Sequence, residues 1–121
     1  GTLTPIRDFN YVTDTARGML ALALSDHSDG EVINIGSGEE WSIQQTVDLL
    51  VEISGYEIEI ITDEDRMRPE KSEVNRLLAD NSKIIKLTDW KSEISFHDGL
   101  ASTYQWIEKN IHLFDIDKYA K

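Results

Sequence analysis

Apolar and polar positions along this chain change period several times, and each change marks an element. Between Val12 and Leu24, the apolar residues Val12, Ala16, Met19, Leu20, Ala23 and Leu24 recur at three- and four-residue spacing. That spacing gathers them on one face of a helix. Thr13 or Asp14 is placed to cap its start, and the polar run from Asp26 to Gly30 ends it. The residues before it, 6–12, are aromatic and branched and predict a short extended segment. Residues 31–35 predict a strand whose apolar content is Val32, Ile33 and Ile35. A helical period returns after Ser42, with Ile43, Val47, Leu50 and Val51 as its inner face. Ser42 and Gln45 form an S-x-x-Q capping box for this helix, and Gly55 is placed to stop it. Tyr56–Ile61 alternates as a half-buried strand does.

The second half opens with a long loop. Residues 62–76 carry little apolar pattern and one proline, Pro69. Loops of that length inside compact domains tend to be functional or disordered. Leu77, Leu78 and Ala79 predict a short buried strand, and Asp80 is placed to cap a short helix through Lys86 or Leu87, with Trp90 just beyond. Ser95 and Asp98 repeat the capping pattern ahead of the last helix, whose inner face is Phe96, Leu100, Tyr104, Ile107 and Ile111. The tail from His112 to Lys121 is mixed and is expected to fray. Repeats, linkers and low-complexity stretches are absent from the sequence. The expected fold is α/β, a single domain over 1–121 with about four helices and three or four short strands.

Composition narrows the partners. At 121 residues, 40% of them hydrophobic, the chain can build one modest core. No apolar run approaches the roughly 18–20 residues that span a bilayer, and no signal-peptide pattern stands at the start. Cysteine is absent, which excludes disulfides and thiolate metal sites within the sequence and fits a reducing compartment, so a cytoplasmic location is expected. A net charge of −11 argues against nucleic acid and against an anionic membrane surface. It leaves room for a small anionic ligand held by a few placed arginines. The chain begins Gly-Thr-Leu-Thr-Pro without an initiator Met, as a cleavage scar or one piece of a longer chain would.

Two stretches invite a chemical reading. "EVINIGSGEEWSIQQTVDLL" has the strand–turn–helix layout of a dinucleotide-binding loop. That fingerprint needs G-x-G-x-x-G. Gly36 and Gly38 fit its first two positions, but Trp41 fills the third, and Glu39 and Glu40 stand where phosphates would lie. The turn therefore reads as a structural strand-to-helix connection, with Asn34 beside it offering both a donor and an acceptor. The second stretch, Asp63–Asp80, concentrates Arg66, Arg68, Lys71 and Arg76 in an acidic chain. Arginine's planar fork suits phosphate oxygens; the plainer alternative is a solvated loop whose arginines pair with Glu64, Asp65, Glu70 and Glu73. Arg7 is a further candidate, and its plainer role is an ion pair with Asp8 or Asp14. No catalytic set is visible. His27, His97 and His112 lack metal-ligand spacing. Ser37 is outside any G-x-S-x-G elbow, and Tyr11, Tyr56, Tyr104 and Tyr119 each lack a lysine four residues later.

Taken together, three segments resemble one family. "TPIRDFNYVTDTARGMLALAL" is similar to the R-D-F/Y-x-Y/H-V-x-D stretch of extended short-chain dehydrogenases that act on nucleotide sugars. "EVINIGSGEEWSIQQTVDLL" resembles their N-I/V-G-S/G-G turn and helix. "RMRPEKSEVNRLLADNSKIIKLTDWKSEISFHDGLASTYQWI" resembles their arginine-proline loop, the A-D-x-S-K run, a tryptophan and the final G-L-x-x-T-x-x-W helix. The likeness covers about residues 4–111, in the family's order, and corresponds to the family's C-terminal, substrate-binding portion. It implies that an N-terminal Rossmann half of a parent enzyme supplies NAD and the Tyr-x-x-x-Lys pair. This piece by itself would then bind no cofactor and have no activity. It implies that Arg7, Asn34 and Arg68 contact the diphosphate of a nucleotide-diphosphate sugar and that Ser72 and Glu73 reach the ribose, with Arg66 and Lys71 as weaker candidates. Asp14, Asp80 and Trp90 are implied to be caps or packing residues. The loop is longer than the R-P-T-E-V form of GDP-mannose dehydratases, which speaks for a UDP-sugar. Within the family the chain looks most like UDP-N-acetylglucosamine 4,6-dehydratases, with UDP-sugar epimerases close behind. Against this stand a stand-alone nucleotide-diphosphate binding module and a non-catalytic interaction domain. Apolar helix faces that would pack on the Rossmann half predict self-association of the isolated piece.

Overall fold

Reciprocal capping fixes the second helix. The Ser42 hydroxyl accepts the Gln45 amide at 3.1 Å, and the Gln45 side chain accepts the Ser42 amide at 2.8 Å. Two orphan donors are thereby satisfied where helix α2 (Ile43–Ser54) begins, and Gly55, at φ 71°, ends it in the left-handed conformation. Ser95 likewise caps helix α4 (Phe96–Lys109) through the Asp98 amide. Helices α1 (Val12–Ala23) and α3 (Ser82–Leu87) complete the four expected, and a 3-10 turn follows at Ile111–Leu113. The structure, a computed structural model, describes residues 2–61 and 74–115.

The sheet is smaller than the sequence pattern predicts. Strand β1 (Ile6–Arg7) pairs antiparallel with β2 (Trp41–Ser42), Ile6 opposite Ser42. Ile6 also makes a parallel bridge to Arg76: its amide donates to the Asn75 carbonyl at 2.8 Å and its carbonyl accepts from Leu77 at 3.0 Å. Residues 31–35, 56–61 and 77–79, expected as strands, join no ladder among the described residues. Alternation in sequence supplies a face, but a strand also needs a neighbour to take its backbone groups. Val32, Ile58, Ile60, Leu77 and Leu78 accordingly remain exposed.

The core lies where α1, α3 and the start of α4 converge, around Ile84, Trp90 and Phe96. Phe96 stacks on Phe9 with ring centroids 5.2 Å apart and meets Trp41 at 4.5 Å. Helix α2 packs on α4, and Ile43, Val47, Leu50 and Val51 are half-buried as their spacing predicts. Of the expected inner face of α4, Phe96 is buried and Leu100 and Tyr104 are half-buried. Ile107 is exposed, as is Ile111, which lies beyond α4 in the 3-10 turn.

Helix α1 carries its apolar stripe on the outside. Its buried residues are Asp14 and Gly18, whereas Val12, Ala16, Met19, Leu20, Ala23 and Leu24 all face outward. Asp14, 0% exposed, accepts hydrogen bonds from the Arg17 guanidinium, the Ser92 hydroxyl and the amides of Glu93 and Ile94. The Trp90 indole N–H donates to the Asp14 carbonyl at 2.9 Å. A buried carboxylate with these donors cannot be turned outward without stranding them, so the polar network sets the helix rotation. Asp14 is therefore no helix cap; α1 starts at Tyr11 with no side-chain cap. The expected ion pair of Asp14 goes to Arg17. Asp80 accepts the Ser82 amide at 3.0 Å, just ahead of α3, whose N-cap position is Asn81.

Burial raises the Asp14 pKa, but the Arg17 guanidinium, the amides of Ile94 and Glu93 and the Ser92 hydroxyl outweigh it and hold it below the ordinary value. A depressed folded-state pKa stabilises the fold above the unfolded value of about 3.9, and that contribution fades as pH falls through the folded one. Urea unfolding is expected to show Asp14→Asn destabilised by about 1–3 kcal/mol at neutral pH, from amides left poorly paired. The gap between variant and wild type should narrow on acidification below about pH 4.

Candidate functional site

A cavity of about 500 Å³ opens between β1, the segment 33–36 and the segment 77–79. Arg7, Asp8, Asn10, Asn34, Gly36 and Ala79 supply most of its polar and backbone lining. The Arg7 guanidinium donates through Nη1 to the carbonyls of Ile6 and Val74, both at 2.8 Å. Val74 belongs to the expected long loop, residues 62–76, so a described part of that loop stands directly beside Arg7. Asn34 lies across the cavity, exposed, with Nδ2 3.4 Å from the Asp80 carbonyl. The structure thus brings together two of the expected contact residues, Arg7 and Asn34. Arg68, Ser72 and Glu73, with Arg66 and Lys71, lie outside the described residues. Arg76 is paired with Glu40, across from the glycine turn.

Asp8 is the residue that sequence reasoning undervalued as a mere ion-pair partner for Arg7. Its carboxylate accepts the amide and hydroxyl of Ser37 and the amides of Gly38 and Ala79. Asp8 directly follows β1, and no local pattern in the sequence announces these partners.

The glycine turn does not fit a dinucleotide. Anion-binding turns work by leaving amides free for phosphate oxygens, yet the Ser37 and Gly38 amides are committed to Asp8. Nor is there room: a Cβ at Gly36 would stand 2.4 Å from the Ala79 Cβ and 2.7 Å from the Asp8 carboxylate. Gly36 is thus required for close approach of the chain's own segments. Trp41, in the place of a third glycine, packs on Phe96, and its indole N–H donates to Glu39 at 3.2 Å. Among the described residues no cluster of His, Asp or Glu is placed to hold a metal ion.

The family model described as GDP-mannose 4,6 dehydratase matches residues 1–103. The chain belongs to that family of nucleotide-sugar epimerases and dehydratases. It is 37% identical over 111 residues to GDP-L-fucose synthase 1 of Arabidopsis thaliana, a match covering 92% of this chain and 32% of the plant protein. Its fold superposes on the epimerase Mth375 of Methanothermobacter thermautotrophicus with a TM-score of 0.83 and 29% identity, over 93% of this chain and 33% of that one. A UDP-glucuronic acid 4-epimerase from Bacillus cereus, solved in complex with UDP-glucuronic acid and NAD, matches with a TM-score of 0.79 and 33% identity, over 90% and 34% of the two chains. The chain spans about a third of the length of the relatives it matches. The likeness explains the family-wide order of motifs seen in the sequence.

Gly36→Ala is expected to destabilise the chain by about 1–3 kcal/mol through overpacking. Its effect should concentrate at Asp8 and Ala79, read as shifted and faster-exchanging amides at residues 37, 38 and 79 by NMR. Unchanged stability and spectra would show that the turn and the 77–79 segment are not in contact.

Proposed function

We propose that this chain is the substrate-binding part of an NAD-dependent nucleotide-sugar dehydratase or epimerase, and that its cavity takes the diphosphate of the substrate. The observation that carries the reading is the convergence of Arg7 and Asn34 on one cavity, with Val74 of the long loop bonded to Arg7. Arg68 then reaches the same diphosphate from the loop, and Ser72 and Glu73 contact the ribose. Such remote contacts matter to the chemistry because they position the reacting ring. The parent enzyme is cytoplasmic, and its N-terminal Rossmann half supplies the catalytic residues and NAD, a group that oxidises the sugar at C4 and returns the hydride. The residues described here do not fit NAD, since the turn amides are already taken by Asp8. A 4,6-dehydratase acting on UDP-N-acetylglucosamine is the preferred activity, on the long R-P-E-K-S-E loop; a UDP-sugar epimerase is second. The UDP-sugar bound by the B. cereus epimerase supports a uridine nucleotide. The GDP names of the family model and the plant relative support a guanine nucleotide, and titration decides between the bases.

Calorimetric titration with UDP, GDP and dTDP tests this directly. One nucleotide is expected to bind, and both Arg68→Ala and Arg7→Ala are expected to weaken it about ten-fold or more, the usual scale for a charge-assisted hydrogen bond. Binding that survives both substitutions overturns the assigned contacts. Absence of binding to this chain and to the full-length parent overturns the diphosphate reading and favours a non-catalytic interaction domain. A stand-alone binding module is distinguished by the gene: a G-x-x-G-x-x-G and a Tyr-x-x-x-Lys upstream mark the enzyme.

The outward face of α1 fits the same reading. Val12, Met19, Leu20 and Leu24 are 60–76% exposed, and a contiguous apolar stripe of this kind marks a surface that is covered in the assembled molecule. We assign it to the Rossmann half. Without that half the chain is expected to self-associate through this stripe as concentration rises, and Leu20→Glu is expected to suppress association in sedimentation experiments. A monomer at all concentrations would count against the assignment.

A further inference from the structure

Asp8 ties the two walls of the cavity to the strand that carries Arg7. Oδ1 accepts from the Ser37 amide at 2.9 Å and the Ser37 hydroxyl at 2.6 Å; Oδ2 accepts from the Gly38 amide at 3.0 Å and the Ala79 amide at 3.2 Å. Three of these four donors are backbone amides, and they come from the two segments that face each other across the cavity. Residues 34–36, with Asn34, run into the glycine turn on one side, and residues 77–79 form the other. The Asn81 side chain adds a tie from the same side, donating to the Gly36 carbonyl at 3.0 Å. Asn34 itself has one longer bond, to the Asp80 carbonyl. Its position is therefore inherited from the turn that Asp8 holds.

We infer that Asp8 is a positioning residue for nucleotide-diphosphate binding: its carboxylate sets the spacing between Arg7 and Asn34 across the cavity. This rests on the diphosphate reading above. A carboxylate is needed because four donors require four lone pairs and no donor of its own. An Asn at this position offers a single carbonyl and turns its NH₂ toward amides that also donate. The charge is spent locally, so the carboxylate acts through the turn rather than as a proton acceptor for substrate.

Asp14 supplies an internal control. It too is a carboxylate held by several donors, and its partners Arg17, Ser92, Glu93 and Ile94 line no part of this cavity. The experiment compares Asp8→Asn with Asp14→Asn in the same chain, by ¹⁵N NMR and by titration with UDP, GDP and dTDP. Asp8→Asn is expected to move the Asn34 side-chain amide resonance, to speed exchange at the amides of Ser37, Gly38 and Ala79, and to weaken nucleotide binding about ten-fold. Asp14→Asn is expected to lower stability while leaving the Asn34 resonance and the affinity in place. Equal loss of affinity in the two variants would reduce Asp8 to general stability and overturn the inference, as would an unmoved Asn34 resonance in Asp8→Asn. Should neither the wild-type chain nor the full-length parent bind any of the nucleotides, the diphosphate reading fails separately, and the Asn34 resonance still decides whether Asp8 positions that side chain. If Asp8→Asn does not fold, Asp8→Glu replaces it. Glu keeps the charge and all four acceptor sites but adds a methylene, so wild-type affinity in that variant would overturn the inference.

Discussion

A buried carboxylate must be satisfied wherever the chain places it, and in this fold that constraint outranks apolar burial. Asp14 is fully buried and holds the 92–94 segment ahead of α4 through two amides and a hydroxyl, while Arg17 closes over it. The indole of Trp90 answers the Asp14 carbonyl, which seats the largest core side chain against the same turn of helix. Gly18, one turn along, lets Ile35 and Trp90 approach α1 closely. These contacts fix the rotation of α1. Everything apolar that the helix period collected on its other side is then directed outward, and the chain is left with a thin core and a wide apolar surface. A chain organised this way is stable to the extent that its polar clamps hold, and it has surface to offer another packed unit.

The second carboxylate, Asp8, solves a related problem at the cavity. Segments 34–38 and 77–81 make no regular ladder among the described residues, so their amides need partners from elsewhere. The side chain that directly follows β1 supplies three of them. The result is a cavity wall of irregular backbone held from the end of a strand, in keeping with the general pattern in which a more regular element sets the position of loop residues.

Local signals were the most legible part of the sequence. The Ser42–Gln45 box, the Gly55 stop and the Ser95 cap each depend on residues within a few positions of one another, and each appears in the structure as the sequence predicts. The strands at 31–35, 56–61 and 77–79 were misread because a strand is defined by a partner that periodicity does not reveal. The period of α1 says which residues share a face but not which way that face turns. Its period is real, but the hydrophobic pattern is blind to a buried Asp whose partners lie some eighty residues away. At the cavity, the family resemblance pointed to Arg7 and Asn34, and both line it. Asp8 was not legible, since nothing local to it announces that the glycine turn will fold back onto the end of β1. The turn's failure as a dinucleotide loop was legible from Trp41 and the two glutamates; the structure adds the physical reason that its amides are already spent.

A chain of net charge −11 is an unexpected host for the diphosphate proposed above, and the local charges at the cavity bear on that difficulty. At physiological ionic strength, exposed charges more than about 8 Å apart are largely screened from one another. The overall acidity therefore acts weakly on a ligand seated beside a guanidinium. The charges that count are local. Of these, the Asp8 carboxylate is turned toward four donors, Glu40 is paired with Arg76, and Glu39 is bonded to the Trp41 indole. Each acid near the glycine turn is thus engaged by the protein itself, and the Arg7 guanidinium donates to the backbone carbonyls of Ile6 and Val74.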